Sequence, residues 1–111
     1  MEHKLMTVEE RQAVQETLHS EKNYTDLSML FKMFADATRL KIFTVLSQKE
    51  VSVDDLKEIL NMTQSVASHQ LASLRKLNLV KVTKVGKYSY YSLADDHVME
   101  IFKQALDHVQ E

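Results

Sequence analysis

Apolar residues recur along this chain at two periods, and the change between them marks out its elements. From residue 7 to residue 77 the spacing is helical. From about residue 80 it alternates, and from residue 96 it is helical again. The first segment, TVEERQAVQETL, opens with Thr7 as an N-cap and Glu10 in the capping-box position, which predicts a short helix. In YTDLSMLFKMFAD, Leu27, Leu30, Phe31 and Phe34 share a helical face, and Met29 and Met33 are expected as core fillers. ATRLKIFTVLSQ carries Leu40, Ile42, Phe43, Val45 and Leu46, apolar on much of its surface, so this helix is expected at the centre.

The segment SVDDLKEILNMTQSVASHQLASLRKLNLV predicts two helices joined tightly. Ser52 caps the first, with Leu56, Ile59 and Leu60 inward. Asn61 and Met62 make the turn, and Thr63 caps the second, which runs to about Leu77. At about 100° per residue, Ala67, Leu71 and Leu74 share one side of the second helix, flanked by Val66, Gln70 and Leu77. Ser65, Ser68, His69, Ala72 and Lys76 share the other. Short hydroxyls and an imidazole let a helix lie deep in a major groove and still reach base edges. An ordinary solvated face would more usually carry Glu and Lys.

In LVKVTKVGKYSYYSL, Val80 and Val82, then Tyr88 and Tyr90, alternate with polar residues, which predicts two strands. Gly86, the single glycine, sits where a hairpin needs positive φ, with Lys84 and Lys87 about the tip. Tyr88, Tyr90 and Tyr91 suit hairpin and core packing better than base stacking. A basic hairpin after such a helix is a winged helix-turn-helix. The fold class expected is mainly α with a small β-hairpin, in one domain over residues 1–111. Within it, residues 1–22 form an N-terminal helical extension, 52–77 the helix-turn-helix, 79–92 the wing and 96–110 a C-terminal helix.

Composition sharpens this picture. No Pro and one Gly in 111 residues favour helices, and no Cys excludes disulfides and thiolate chemistry. No apolar run approaches a membrane span, and MEHKLMTVEERQAVQETLHS lacks the apolar stretch of a signal peptide, so a cytoplasmic protein with no membrane partner is expected. The net charge of −2 conceals an asymmetry. Between Thr63 and Ser92 lie Arg75, Lys76, Lys81, Lys84 and Lys87 without one Asp or Glu. That is the footprint of phosphate contact. Chance clustering on a solvated face would look the same on charge alone.

TQSVASHQLASLRKLNLVKVTKVGKYSYYSL, with its S-x-x-S-H-x-L-x-x-L core and Y-Y-S-L strand, resembles the ArsR/SmtB family of bacterial winged-helix repressors. The resemblance runs from about Tyr24 to the C-terminus. It implies a homodimer, paired through N- and C-terminal helices, that represses transcription by binding double-stranded operator DNA and is released by a metal ion in many members. It also implies Gln64, Ser65, Ser68 and His69 as DNA-reading positions, beside the phosphate-facing Lys76, Lys84 and Lys87.

The terminal stretch DDHVMEIFKQALDHVQE carries the candidate effector site. His97 and His108 are eleven residues apart, so they share a stripe about 20° wide yet lie roughly 16 Å apart along the axis. Zn–N bonds of about 2.0–2.1 Å forbid one helix from placing both on one ion. A second copy, antiparallel across a two-fold axis, brings His97 of one chain opposite His108 of the other and makes two equal sites. Glu111 follows His108 by three residues on the same face. Asp95 would point away in a continuous helix, so it must stand at the helix start. Val98, Ile101, Phe102, Ala105 and Val109 form a stripe roughly 90° around, expected to pair the dimer.

Asp95-x-His97-x10-His108-x2-Glu111 matches the terminal-helix metal motif of the family's zinc sensors, which implies Zn(II) as effector with Co(II) as a mimic. The family's other site uses cysteines in a motif like E-L-C-V-C-D-L. Here Glu50-Val51-Ser52-Val53-Asp54-Asp55-Leu56 holds none, which disfavours arsenic, cadmium or lead sensing there. His3 and His19 are expected to be exposed and chemically idle. The function expected is a metal-responsive repressor controlling zinc efflux or resistance genes, with no catalytic residues and no small-molecule substrate. The alternatives are a regulator answering Ni(II), Co(II) or a non-metal signal, a zinc hydrolase, and a bare dimerisation module. A hydrolase would need an open metal position and a spare base, and a dimerisation module leaves the basic wing unexplained.

Overall fold

The computed structural model describes residues 3–111. In order they form α1 (Val8–Gln15), α2 (Glu21–Phe34), α3 (Ala37–Gln48), α4 (Val53–Leu60), α5 (Gln64–Lys76), β1 (Val80–Val85), β2 (Tyr88–Leu93) and α6 (Asp96–Gln110). The mainly helical winged architecture read from the sequence is the one observed.

Side-chain caps punctuate a chain with almost no Gly or Pro. Thr7, Ser20, Asp36, Ser52, Thr63 and Asp95 each accept a hydrogen bond from the backbone N–H three residues on. Thr7 and Glu10 complete a capping box. Asn61 ends α4 at φ 52°, taking the left-handed position where glycine is usual. That residue makes the tight turn into α5. The start of α2 differs from the sequence expectation. Ser20 caps it, so it begins three residues before Tyr24, in a polar first turn that carries no apolar signal.

The core gathers on α3. Ile42 and Phe43 are fully buried there, together with Leu56 of α4 and Ala67, Leu71 and Leu74 of α5. Phe43 stacks on Phe34 at 4.7 Å between ring centroids and meets Phe102 of α6 at 6.2 Å. β1 and β2 pair antiparallel, with Val80 opposite Leu93 and Val85 opposite Tyr88. Gly86 turns the hairpin at φ 62°. A single bridge joins Val51 to Tyr91 with two backbone hydrogen bonds and fastens the wing to the entry of α4.

Several side chains expected inside lie outside. Ile59 is 57% exposed and Met29 46%, so neither fills the core; Met33 does. Leu27 and Phe31 are also exposed, because the outer face of α2 meets nothing in the single chain. α1 buries no residue at all. A Cα radius of gyration of 19.1 Å, against about 13 Å for a compact chain of this length, reflects how far this arm stands off.

Candidate DNA interface and effector helix

The candidate recognition surface is formed by α5 and the hairpin. Burial of Ala67, Leu71 and Leu74 fixes the rotation of α5 about its axis. That rotation leaves Gln64, Ser65, Ser68, His69, Ala72 and Lys76 exposed, so the predicted reading positions share one open face. Thr63 caps the helix through its Oγ1, which accepts from the Val66 N–H at 3.1 Å. The first turn of α5 carries no acidic residue. Asn78 at φ 60° ends the helix and turns the chain into β1.

Lys84 and Lys87 are exposed at the wing tip, with Lys87 inside the turn rather than beside it. Its ammonium lies 5.4 Å from the centroid of the Tyr88 ring, a contact that the sequence did not suggest. Tyr91 packs against the core as expected for a hairpin residue, whereas Tyr88 is 55% exposed. One interaction ties the recognition helix to the scaffold by side chains alone. Arg39 Nε of α3 donates to Gln70 Oε1 of α5 at 3.2 Å. No periodicity announces a contact between residues 31 apart, and sequence reasoning missed it.

α6 presents the candidate ligands. Asp95 stands at the helix start in extended backbone, φ −160° and ψ 177°, as a turn toward His97 requires. Its Oδ1 accepts from the Val98 N–H at 3.2 Å and lies 3.6 Å from His97 Nδ1. Two ligands of a tetrahedral ion with bonds near 2.0 Å stand about 3.3 Å apart, so this pair needs little adjustment to share one. Both side chains are exposed, as are His108 and Glu111 at the far end. An oxygen and an imidazole nitrogen suit a borderline cation such as Zn(II). Among the described residues of one chain, no three His, Asp or Glu side chains come together in a group that could hold a metal ion.

The apolar stripe of α6 divides in a way the sequence did not show. Val98 and Phe102 are buried in the chain's own core, not held for a partner. What remains open is Ala105, Leu106 and Val109, beside Phe34 and Leu40 across an apolar groove. No helix of the described residues is long and apolar enough to cross a membrane.

The comparisons agree with this geometry. A family model described as "Bacterial regulatory protein, arsR family" matches residues 36–82, from the cap of α3 into β1. A transcriptional repressor SmtB homolog from Synechocystis is 37% identical over 107 residues, 96% of this chain and 81% of the relative. A cadmium resistance transcriptional regulatory protein CadC homolog from Staphylococcus aureus is 39% identical over 93 residues, 83% of this chain and 77% of the relative. Among solved structures, a homodimeric winged helix-turn-helix DNA-binding domain from Mycobacterium bovis superposes with a TM-score of 0.78 at 24% identity, covering 86% of this chain and 91% of that one. The exposed, acid-free face of α5, the basic wing and an identity sustained over most of a relative's length lead to one conclusion: the chain belongs to the ArsR family of bacterial regulatory proteins, DNA-binding transcriptional regulators and not enzymes.

Proposed function

We propose that the chain is a Zn(II)-responsive repressor. As a metal-free homodimer it binds an inverted-repeat operator, and it is released when Zn(II) binds between paired α6 helices, so that zinc efflux or resistance genes are expressed. The observation that carries the reading is the division of α6. Its start offers Asp95 and His97 side by side, its end offers His108 and Glu111, and all four stay exposed while Val98 and Phe102 anchor the helix to the core. An antiparallel second α6 would set the two ends against each other.

Each group has its part. Ser65, Ser68 and His69 reach base edges, with Gln64 at the helix start, while Lys76, Lys84 and Lys87 meet phosphates. Recognition helices of a two-fold dimer enter successive major grooves on one face of the duplex, about 10 bp apart. Asp95 and His97 of one protomer join His108 and Glu111 of its partner as two oxygen and two nitrogen donors. A bound Zn(II) would supply a cross-link between the protomers through these four side chains, without redox chemistry. That cross-link must favour a dimer geometry in which the recognition helices no longer match the grooves. Linkage requires the metal to lose as much affinity on DNA as DNA loses on metal. The relative named for cadmium resistance does not alter the choice of donors here, because a chain without cysteine has no thiolate to offer a soft ion.

The test is fluorescence anisotropy of the protein on labelled DNA from upstream of its own gene, titrated with Zn(II), then with a chelator, and in parallel with Co(II) and Ni(II). Release by Zn(II) that the chelator reverses supports the proposal. Tight binding indifferent to Zn(II) would refute the effector half and leave the DNA-binding half standing.

A further inference from the structure

The Arg39–Gln70 contact is the only side-chain hydrogen bond between different elements among the described residues, and it falls on the helix that faces DNA. Its chemistry is directional. A guanidinium N–H can only donate, so Gln70 must turn its oxygen toward Arg39 and its amino group away. That amino group donates to nothing among the described residues, and Gln70 is half-buried on the shoulder of α5, between the core side and the reading face. Arg39 is itself held. It is the third residue of α3, and its backbone N–H donates to the capping Asp36 Oδ2 at 2.9 Å. No carboxylate among the described residues comes within ion-pair distance of its guanidinium. A free glutamine is ambivalent, able to donate or accept by flipping its amide. Held this way, its outward-facing end, the amino group, can only donate.

We propose that Arg39 is a positioning residue of the DNA interface: it fixes the Gln70 amide with oxygen inward, so that the Gln70 amino group stands as a preset donor to a backbone phosphate beside the groove entered by α5. A phosphate oxygen accepts and never donates, so fixing the amide removes the wrong orientation before DNA arrives. The inference rests on the reading of α5 as the DNA-facing helix.

The experiment measures Kd for a random-sequence duplex and for duplex from upstream of the chain's own gene, each over a range of salt, for wild type, Arg39→Met, Gln70→Met, the double variant and Gln70→Glu. Arg39→Met and Gln70→Met should each weaken both duplexes by roughly five- to tenfold, the worth of one hydrogen bond. The double variant should be no weaker than either single one. The dependence of log Kd on log salt should stay unchanged, because a neutral amide releases no counterion. Gln70→Glu keeps an acceptor for Arg39, and so the fold, but should bind DNA more weakly than Gln70→Met. Variants that lose thermal stability yet bind both duplexes like wild type would overturn the inference, and so would a salt slope lowered by about one in Arg39→Met, since the guanidinium itself would then touch phosphate. A wild type that binds neither duplex would overturn the reading of α5 along with it.

Discussion

Phe102 decides whether α6 belongs first to its own chain or to its partner, and Phe102→Ala separates the two. The side chain is 8% exposed, and its ring lies 6.2 Å from that of Phe43, which stacks in turn on Phe34. Truncating a buried phenylalanine costs about 3–5 kcal/mol, the lost transfer energy plus the cavity left behind. Phe102 borders the groove beside Leu40 and Leu106, so that cavity is open on one side and the neighbours can settle into it. The low end, about 3 kcal/mol, is therefore expected. Against a typical domain stability of about 5–15 kcal/mol this is a large fraction. Val109 is 79% exposed in the single chain, so Val109→Ala should cost little in the protomer and act through dimerisation. The assay is urea unfolding followed by circular dichroism at several protein concentrations. The Phe102→Ala loss should be the same at every concentration, whereas Val109→Ala should shift how strongly the midpoint depends on concentration. A Phe102→Ala loss below about 1 kcal/mol would refute the assignment of Phe102 to the protomer core.

Other consequences are as direct. His97→Ala or His108→Ala should abolish release by Zn(II) in the anisotropy assay and leave metal-free DNA binding intact; loss of both would mean a structural role. Asp95→Asn keeps an oxygen that can accept from the Val98 N–H, so unfolding should move by only a few tenths of a kcal/mol while Zn(II) affinity falls; Asp95→Ala should lose about 1 kcal/mol of capping as well. Lys84→Ala or Lys87→Ala should weaken binding to all sequences alike and lower the salt slope by about one, and an effect confined to one operator would contradict phosphate contact. Asn61→Val should cost about 1–2 kcal/mol in urea unfolding, because a β-branched residue is forced to φ 52°, whereas Asn61→Gly should be neutral or slightly favourable.

What the sequence disclosed is what local chemistry controls. The Thr7–Glu10 box, the caps Ser52 and Thr63, the turn at Asn61 and the glycine at the hairpin each depend on a few adjacent residues, and each stands where the pattern placed it. The exposed face of α5 was equally legible, because the burial of Ala67, Leu71 and Leu74 leaves its opposite side no choice. Periodicity failed where it had to choose between partners. It marks Ile59, Phe31 and Val98 alike as apolar, yet Val98 goes to the core while Ile59 and Phe31 stay outside the single chain. Nor does any period encode Val51 meeting Tyr91 or Arg39 meeting Gln70, since both join residues far apart in the chain. The candidate ligands on α6 were chosen by spacing, and the placement of Asp95 at the cap followed from the helical wheel. The spacing alone could not show that the capping carboxylate would already stand 3.6 Å from His97.

α3 is where these two kinds of information meet. On one side Phe43 receives Phe102 from the helix that carries the candidate ligands. At the start of the same helix Arg39 holds Gln70 of α5, the helix proposed to face DNA. α5 and α6 are therefore joined through a rigid third helix rather than through a loop. A shift of α6 imposed by pairing with its partner has two places to go: it can carry α3 and α5 with it, rotating the protomer as a body about the dimer axis, or it can slide over Phe43. Close-packed aromatic rings resist sliding more than exposed side chains at a dimer border resist rearrangement. Under the proposed pairing of α6 helices, the exposed Ala105, Leu106 and Val109 would lie on that border, whereas Phe102 lies on the packed side. In that pairing the softer surface is the one between protomers. A change at α6 should therefore reach DNA as a change in the spacing of two intact recognition helices, not as a distortion within either one.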